Sequence, residues 1–182
     1  RFTYHSQDME EGFPGALTAQ VTYTLEDTAL VAHYQATTDR PTVCNLTNHT
    51  YFNLNGHNSG TVLDHTLVLH AAHYTPVVPG SIPTGKIEEV AGTPMDFLYP
   101  HTIGQRIDRL FPQLLHCGGQ CYAANFLAGC PTGKGCVTYH NREGVCLETQ
   151  FYPDSPNHPN FPSCVLRPGE TWDHTTMFRF SK

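Results

Sequence analysis

Apolar and polar residues alternate with period two along much of this chain, the signature of half-buried β-strands. The clearest run is Leu17-Thr18-Ala19-Gln20-Val21-Thr22-Tyr23-Thr24-Leu25. After Glu26-Asp27-Thr28, which reads as a hairpin turn, alternation resumes in Ala29-Leu30-Val31-Ala32-His33-Tyr34-Gln35-Ala36. Further strands are predicted at 42–48, 65–71, 144–151 and 175–180, separated by loops bearing Gly and Pro. One short helix is predicted within 103–115, limited by Pro112. Threonine contributes 22 residues and Val, Tyr and Phe are frequent, as pleated surfaces favour. The expected fold is all-β, a sandwich or barrel. No repeat, low-complexity tract or linker divides the sequence.

Composition narrows the partners. The 182 residues carry 10 Lys+Arg against 16 Asp+Glu, a net charge of −6, with three lysines. Nucleic acid and anionic lipid both select cationic surfaces, so neither is expected as a partner. No run approaches the roughly 18 apolar residues of a membrane span. The first residues, RFTYHSQDMEEGFPG, lack the apolar core of a signal peptide, and a cytoplasmic location is expected. Seven cysteines, an odd number, are read as reduced thiols. Cys117, Cys121, Cys130 and Cys136 crowd together near His116 and His140, but their spacings form no paired zinc knuckles. A Cys/His metal module is thus the remote reading, and no metal is expected.

Two residues stand out chemically. His49 lies in Asn45-Leu46-Thr47-Asn48-His49-Thr50-Tyr51-Phe52-Asn53-Leu54, where amides and hydroxyls can fix an imidazole or hold a polyhydroxylated ligand. A polar turn with a solvated histidine would look the same. Glu148 is the second. Period two places Cys146, Glu148 and Gln150 on one face of Gly144–Phe151, and Val145, Leu147, Thr149 and Phe151 on the other. A carboxylate there is paired, faces solvent, as most do, or lines a site where desolvation brings it toward general-base range. The proline-rich loop after Glu148 and the aromatics Tyr51, Phe52, Tyr122 and Tyr152 would suit a sugar site, or equally a surface loop and a core.

At these residues the sequence resembles the aldose 1-epimerase (galactose mutarotase) family. The resemblance rests on Glu10–Gly15 (EEGFPG), Asn45–Leu54 (NLTNHTYFNL), Ile82–Gly85 (IPTG), Gly92–Phe97 (GTPMDF), Cys146–Gln150 (CLETQ), Pro153–Pro162 (PDSPNHPNFP) and Leu166–Glu170 (LRPGE), in family order. It implies a large antiparallel β-sandwich that interconverts α and β anomers of aldoses such as galactose and glucose, with no metal or organic cofactor. By motif match His49 takes the general-acid role and Glu148 the general-base role, with Thr50 and Tyr51 against the sugar. The family's earlier Arg and His-Gly-Gly motif have no counterpart here. Its Gly-Tyr/Phe-Asp-His-Asn motif is also absent, because the sequence jumps near 116–120 to a later family strand; His116 stands where a family Gln would. Residues 1–182 are therefore expected to form one aldose 1-epimerase-like domain lacking an N-terminal part and that internal segment. The alternative expectation is a truncated, non-catalytic relative with weak sugar binding or a structural role.

Overall fold

The computed structural model describes residues 1–116 and 137–181. The cysteine cluster at 117–136, the proposed jump near 116–120, Tyr122 and the strand expected after Gln120 lie outside the described residues. Strands β1 (Phe2–Ser6), β2 (Leu17–Glu26), β3 (Ala29–Thr38) and β4 (Thr42–Val43) open the chain. Six two-residue strands follow: β5 (Thr66–Leu67), β6 (His73–Tyr74), β7 (Val77–Val78), β8 (Ile82–Pro83), β9 (Glu88–Glu89) and β10 (His101–Thr102). A short helix α1 (Pro112–His116), then β11 (Val165–Leu166) and β12 (Trp172–Arg179), follow, with 3₁₀ turns at Glu10–Gly12, Ile103–Gln105 and Ser155–Asn157. Two compact units result, one of residues 1–48 with 149–182, the other of 49–148.

The first unit is built on an antiparallel sheet in the order β1-β2-β3-β12. The alternation read from sequence becomes its pleat. Leu17, Ala19 and Val21 lie opposite Thr38, Ala36 and Tyr34, and opposed residues share a face. That face packs with buried Ala32, Tyr34, Ala36, Cys44, Leu166 and Trp172. The hairpin closes through Asp27-Thr28 alone, with Asp27 in the left-handed region at φ 49°. Further along β2 the stripe leaves the core: Tyr23 and Leu25 are exposed.

Gly15 shows why its motif needs glycine. Its φ is +85°, and a Cβ there would sit 2.8 Å from Thr38 Oγ1 and 3.0 Å from the Arg40 carbonyl oxygen. Its N–H donates to Asp8 Oδ1 (2.6 Å), and Asp8 also accepts from Arg40 Nη1. Gly15→Ala is expected to cost about 1–3 kcal/mol through backbone strain and this clash. A urea titration measures it, and an unchanged midpoint would contradict the account.

Beside β4 and β11 the Cys44 N–H donates to the Cys164 carbonyl (2.8 Å), placing two buried cysteines opposite each other. Burial, then the neighbouring Cys164, pushes the Cys44 thiol from 9.0 up to about 11. Iodoacetamide at pH 8 should label Cys44 about a hundredfold more slowly than an ordinary thiol, read by peptide mass mapping. Because the folded value lies above the unfolded one, the associated stability is complete below pH 9 and is lost as pH rises toward about 11.

The second unit buries Val62, Phe97, Ile103, Ile107, Leu114 and Val145 in one cluster. Its short strands pair antiparallel as β5–β10, β6–β9 and β7–β8. In place of one helix over 103–115, the chain makes a 3₁₀ turn at Ile103–Gln105 and then α1. Pro112 starts α1 instead of limiting it: at the first helical position its missing N–H costs nothing and its fixed φ suits the helix. Buried Gln113 ties α1 to β7, accepting from the Val77 N–H (2.9 Å) and donating to the Thr75 carbonyl (3.2 Å).

Candidate active site

A single doubly hydrogen-bonded pair sets the geometry. Phe52 and Val145 exchange both N–H···O bonds (2.8 and 2.9 Å) as an isolated antiparallel bridge. Continuing that register outward sets Tyr51 opposite Cys146 and His49 opposite Glu148. Phe52 and Val145 face the core cluster, so Tyr51, Cys146, His49 and Glu148 share the other face. No ladder extends along 144–151 as the sequence predicts; Val145 alone is bridged. The alternation of faces survives without it, because one hydrogen-bonded pair and a buried Val145 are enough to fix which way the side chains point. Gly144 is required by the close approach: a Cβ there would lie 2.9 Å from Tyr51 Cβ.

On that face His49 Nε2 lies 3.3 Å from Glu148 Oε1, and His49 Nδ1 lies 3.1 Å from Cys146 Sγ. The His49 side chain is 56% exposed and that of Glu148 26%, so both can be reached by a solute. Tyr51 packs its ring against the imidazole with centroids 5.0 Å apart. Burial, then Cys146 and Glu148, raises the Tyr51 hydroxyl pKa. Burial, then the Glu148 charge, pushes the Cys146 thiol up to about 12. Thr50, between His49 and Tyr51 in the chain, is exposed. A cavity of about 400 Å³ opens next to Tyr51, lined also by Asn53, His57, Tyr139, Glu143 and Gly144. His57 Nε2 and Tyr139 Oη, 2.6 Å apart, meet in its wall.

The structure therefore brings His49, Tyr51 and Glu148 together, and Thr50, also singled out by sequence, lies in the same unit with its position alternating to the Phe52 side. It differs over what holds the imidazole. Two of the motif's amides act elsewhere: Asn53 Nδ2 donates to the Gly60 and Glu143 carbonyls, and Asn45 pairs with the backbone of Phe151. Cys146 contacts the imidazole instead, a role sequence reading missed although its place two residues before Glu148 set it on the same face. In the other unit, the loop of 153–162 closes on itself. Asp154 pairs with His158, and Tyr152 packs edge-on against buried Phe161.

The fold defines the class first: all-β, the antiparallel β-sandwich of aldose epimerases. The crystal structure of the GalM/aldose epimerase homologue from C. elegans superposes with a TM-score of 0.81 at 27% identity, covering 99% of this chain and 65% of that one. That of galactose 1-epimerase from Lactobacillus acidophilus gives 0.81 at 23% identity, a likeness of fold. The aldose 1-epimerase family model matches residues 1–117 and 116–179, and the chain belongs to that family. It is 38% identical over 213 residues to the galactose mutarotase of Homo sapiens and 36% over 221 to the aldose 1-epimerase of Escherichia coli. It spans 62% and 63% of the length of those relatives.

Proposed function

We propose that the chain acts as an aldose 1-epimerase, interconverting the α and β anomers of hexoses such as galactose and glucose. The observation that supports this most is the side-by-side placement of an imidazole and a carboxylate, 3.3 Å apart on one accessible face. Mutarotation acts on two oxygens bonded to a single carbon, so its acid and base must stand close together. Protonated His49 gives its proton to the ring oxygen while the Glu148 carboxylate takes the proton of the anomeric hydroxyl. The bond between C1 and the ring oxygen breaks, leaving an aldehyde. Rotation about C1–C2 presents the other carbonyl face to the same hydroxyl. Closure then reverses both transfers: neutral His49 recovers its proton and protonated Glu148 returns one to the new anomeric oxygen. Each group contributes about 10²–10⁴-fold, and each step is a proton transfer these side chains perform themselves.

Thr50 and Tyr51 would lie against the sugar, and the adjoining cavity, about 400 Å³, falls in the range of small-molecule sites. The substrate class is a small-molecule aldose, with nucleic acid and membrane not expected as partners. Among the described residues, no helix is long and apolar enough to cross a membrane. The cytoplasm is the proposed compartment, on the cysteine usage read from sequence.

Polarimetry of freshly dissolved α-galactose tests the reading. Accelerated approach to the equilibrium rotation is expected. Equal rates with and without protein would overturn it in favour of a non-catalytic relative.

A further inference from the structure

We propose that His49, Cys146 and Glu148 also form a binding site for zinc, and that zinc bound there blocks the acid–base pair. One donor atom from each residue lies within 4.8 Å of the others. Tetrahedral zinc with bonds of about 2.0–2.3 Å has ligand–ligand edges of about 3.3–3.8 Å, so modest side-chain rotations close the tripod. Cys146 Sγ already lies 3.1 Å from His49 Nδ1, the ring nitrogen that would ligate, while the Glu148 carboxylate stands 3.3 Å from the other nitrogen, Nε2, and must swing toward the thiol side of the ring.

The donor set selects the metal. Nitrogen, sulfur and oxygen together match zinc, whereas calcium and magnesium take oxygen ligands. The backbone also prepares the site. Cys146 and Glu148 sit two residues apart on one face, and the Phe52–Val145 bridge sets His49 across from them. The side chain of His49 is 56% exposed, which leaves an open direction for the ion to enter and for a water to complete its shell. On binding, the Cys146 thiol proton leaves to solvent and the sulfur coordinates as thiolate.

Zinc held this way takes the lone pair that would make His49 an imidazolium and lowers the basicity of the coordinated Glu148 carboxylate, so the acid and base are disabled together. This inhibitory consequence rests on the mutarotase reading; the binding does not.

The test is a titration of the full chain with Co²⁺ as a spectroscopic stand-in, followed by displacement with Zn²⁺. A thiolate-to-cobalt charge-transfer band is expected, erased by Zn²⁺. Cys146→Ser should lose the band at this site and bind one cobalt ion fewer per chain. His49→Asn and the near-isosteric Glu148→Gln should each bind that ion more weakly, with circular dichroism confirming that they fold. In parallel, Zn²⁺ should slow polarimetric mutarotation and a chelator should restore it. A Cys146→Ser chain binding as many ions with the same spectrum would overturn the proposal, since the metal would then sit on other cysteines. So would an absence of metal binding by the unsubstituted chain. If mutarotation is accelerated but no metal binds, the zinc site falls and the enzyme reading stands. If metal binds as expected but mutarotation is not accelerated, the reverse holds.

Discussion

Glu148→Gln and His49→Asn should each lower kcat for α-galactose mutarotation by about 10²–10⁴-fold, the range for losing a positioned acid or base. Gln keeps the shape of Glu148 and its hydrogen-bonding reach but cannot take up the anomeric proton. Asn can still donate a hydrogen bond, but cannot deliver a proton to the ring oxygen. KM should change little, because both interactions strengthen as the ring opens and not when the closed sugar binds. Neither side chain belongs to the buried cluster of its unit, so unfolding free energies should stay within about 0.5 kcal/mol of the original. Polarimetry at several galactose concentrations separates kcat from KM. A loss below about tenfold in both variants would show that other groups move the protons.

Phe97→Ala carries the largest expected effect on stability, a loss of about 3–5 kcal/mol. Phe97 is 1% exposed and packs in the cluster with Val62, Ile103, Ile107, Leu114 and Val145. Its ring also meets His101 edge-on and lies 5.6 Å from the Arg106 guanidinium, and its carbonyl accepts from the Leu69 N–H. Truncation removes the transfer energy of the ring, leaves a cavity and strips two ring partners at once. A domain's whole stability is about 5–15 kcal/mol, so much of it would go. Urea denaturation followed by circular dichroism measures the loss, and Phe97→Leu should lose less. Val145 belongs to the same cluster and is the bridge partner of Phe52. Loosening the cluster should therefore also blur the register that faces His49 toward Glu148, and activity should fall with stability. A loss under about 1 kcal/mol would mean that the core does not depend on this ring.

What could be read from the chain itself follows from how local each signal is. The β2–β3 hairpin was legible because its alternation, turn residues and partner strand all lie within one short stretch of sequence. Glu148 and Cys146 could be put on one face because period two needs no partner. The strand expected over 144–151 did not form a ladder, since alternation specifies a face whereas a ladder needs a hydrogen-bonding neighbour along its whole length. The helix expected over 103–115 broke into a 3₁₀ turn and α1 because Pro112 is compatible with a helix start and not with its interior.

The candidate site divides in the same way. Sequence by itself determined the residue types, the family resemblance and the face that Cys146 and Glu148 share. Only the tertiary structure decided that Cys146 meets the imidazole of a residue 97 positions away. The physical reason is the pair of hydrogen bonds between Phe52 and Val145, held by a hydrophobic cluster drawn from 62 to 145. A contact made through a distant register has no local signature, and it exists only once that cluster has formed.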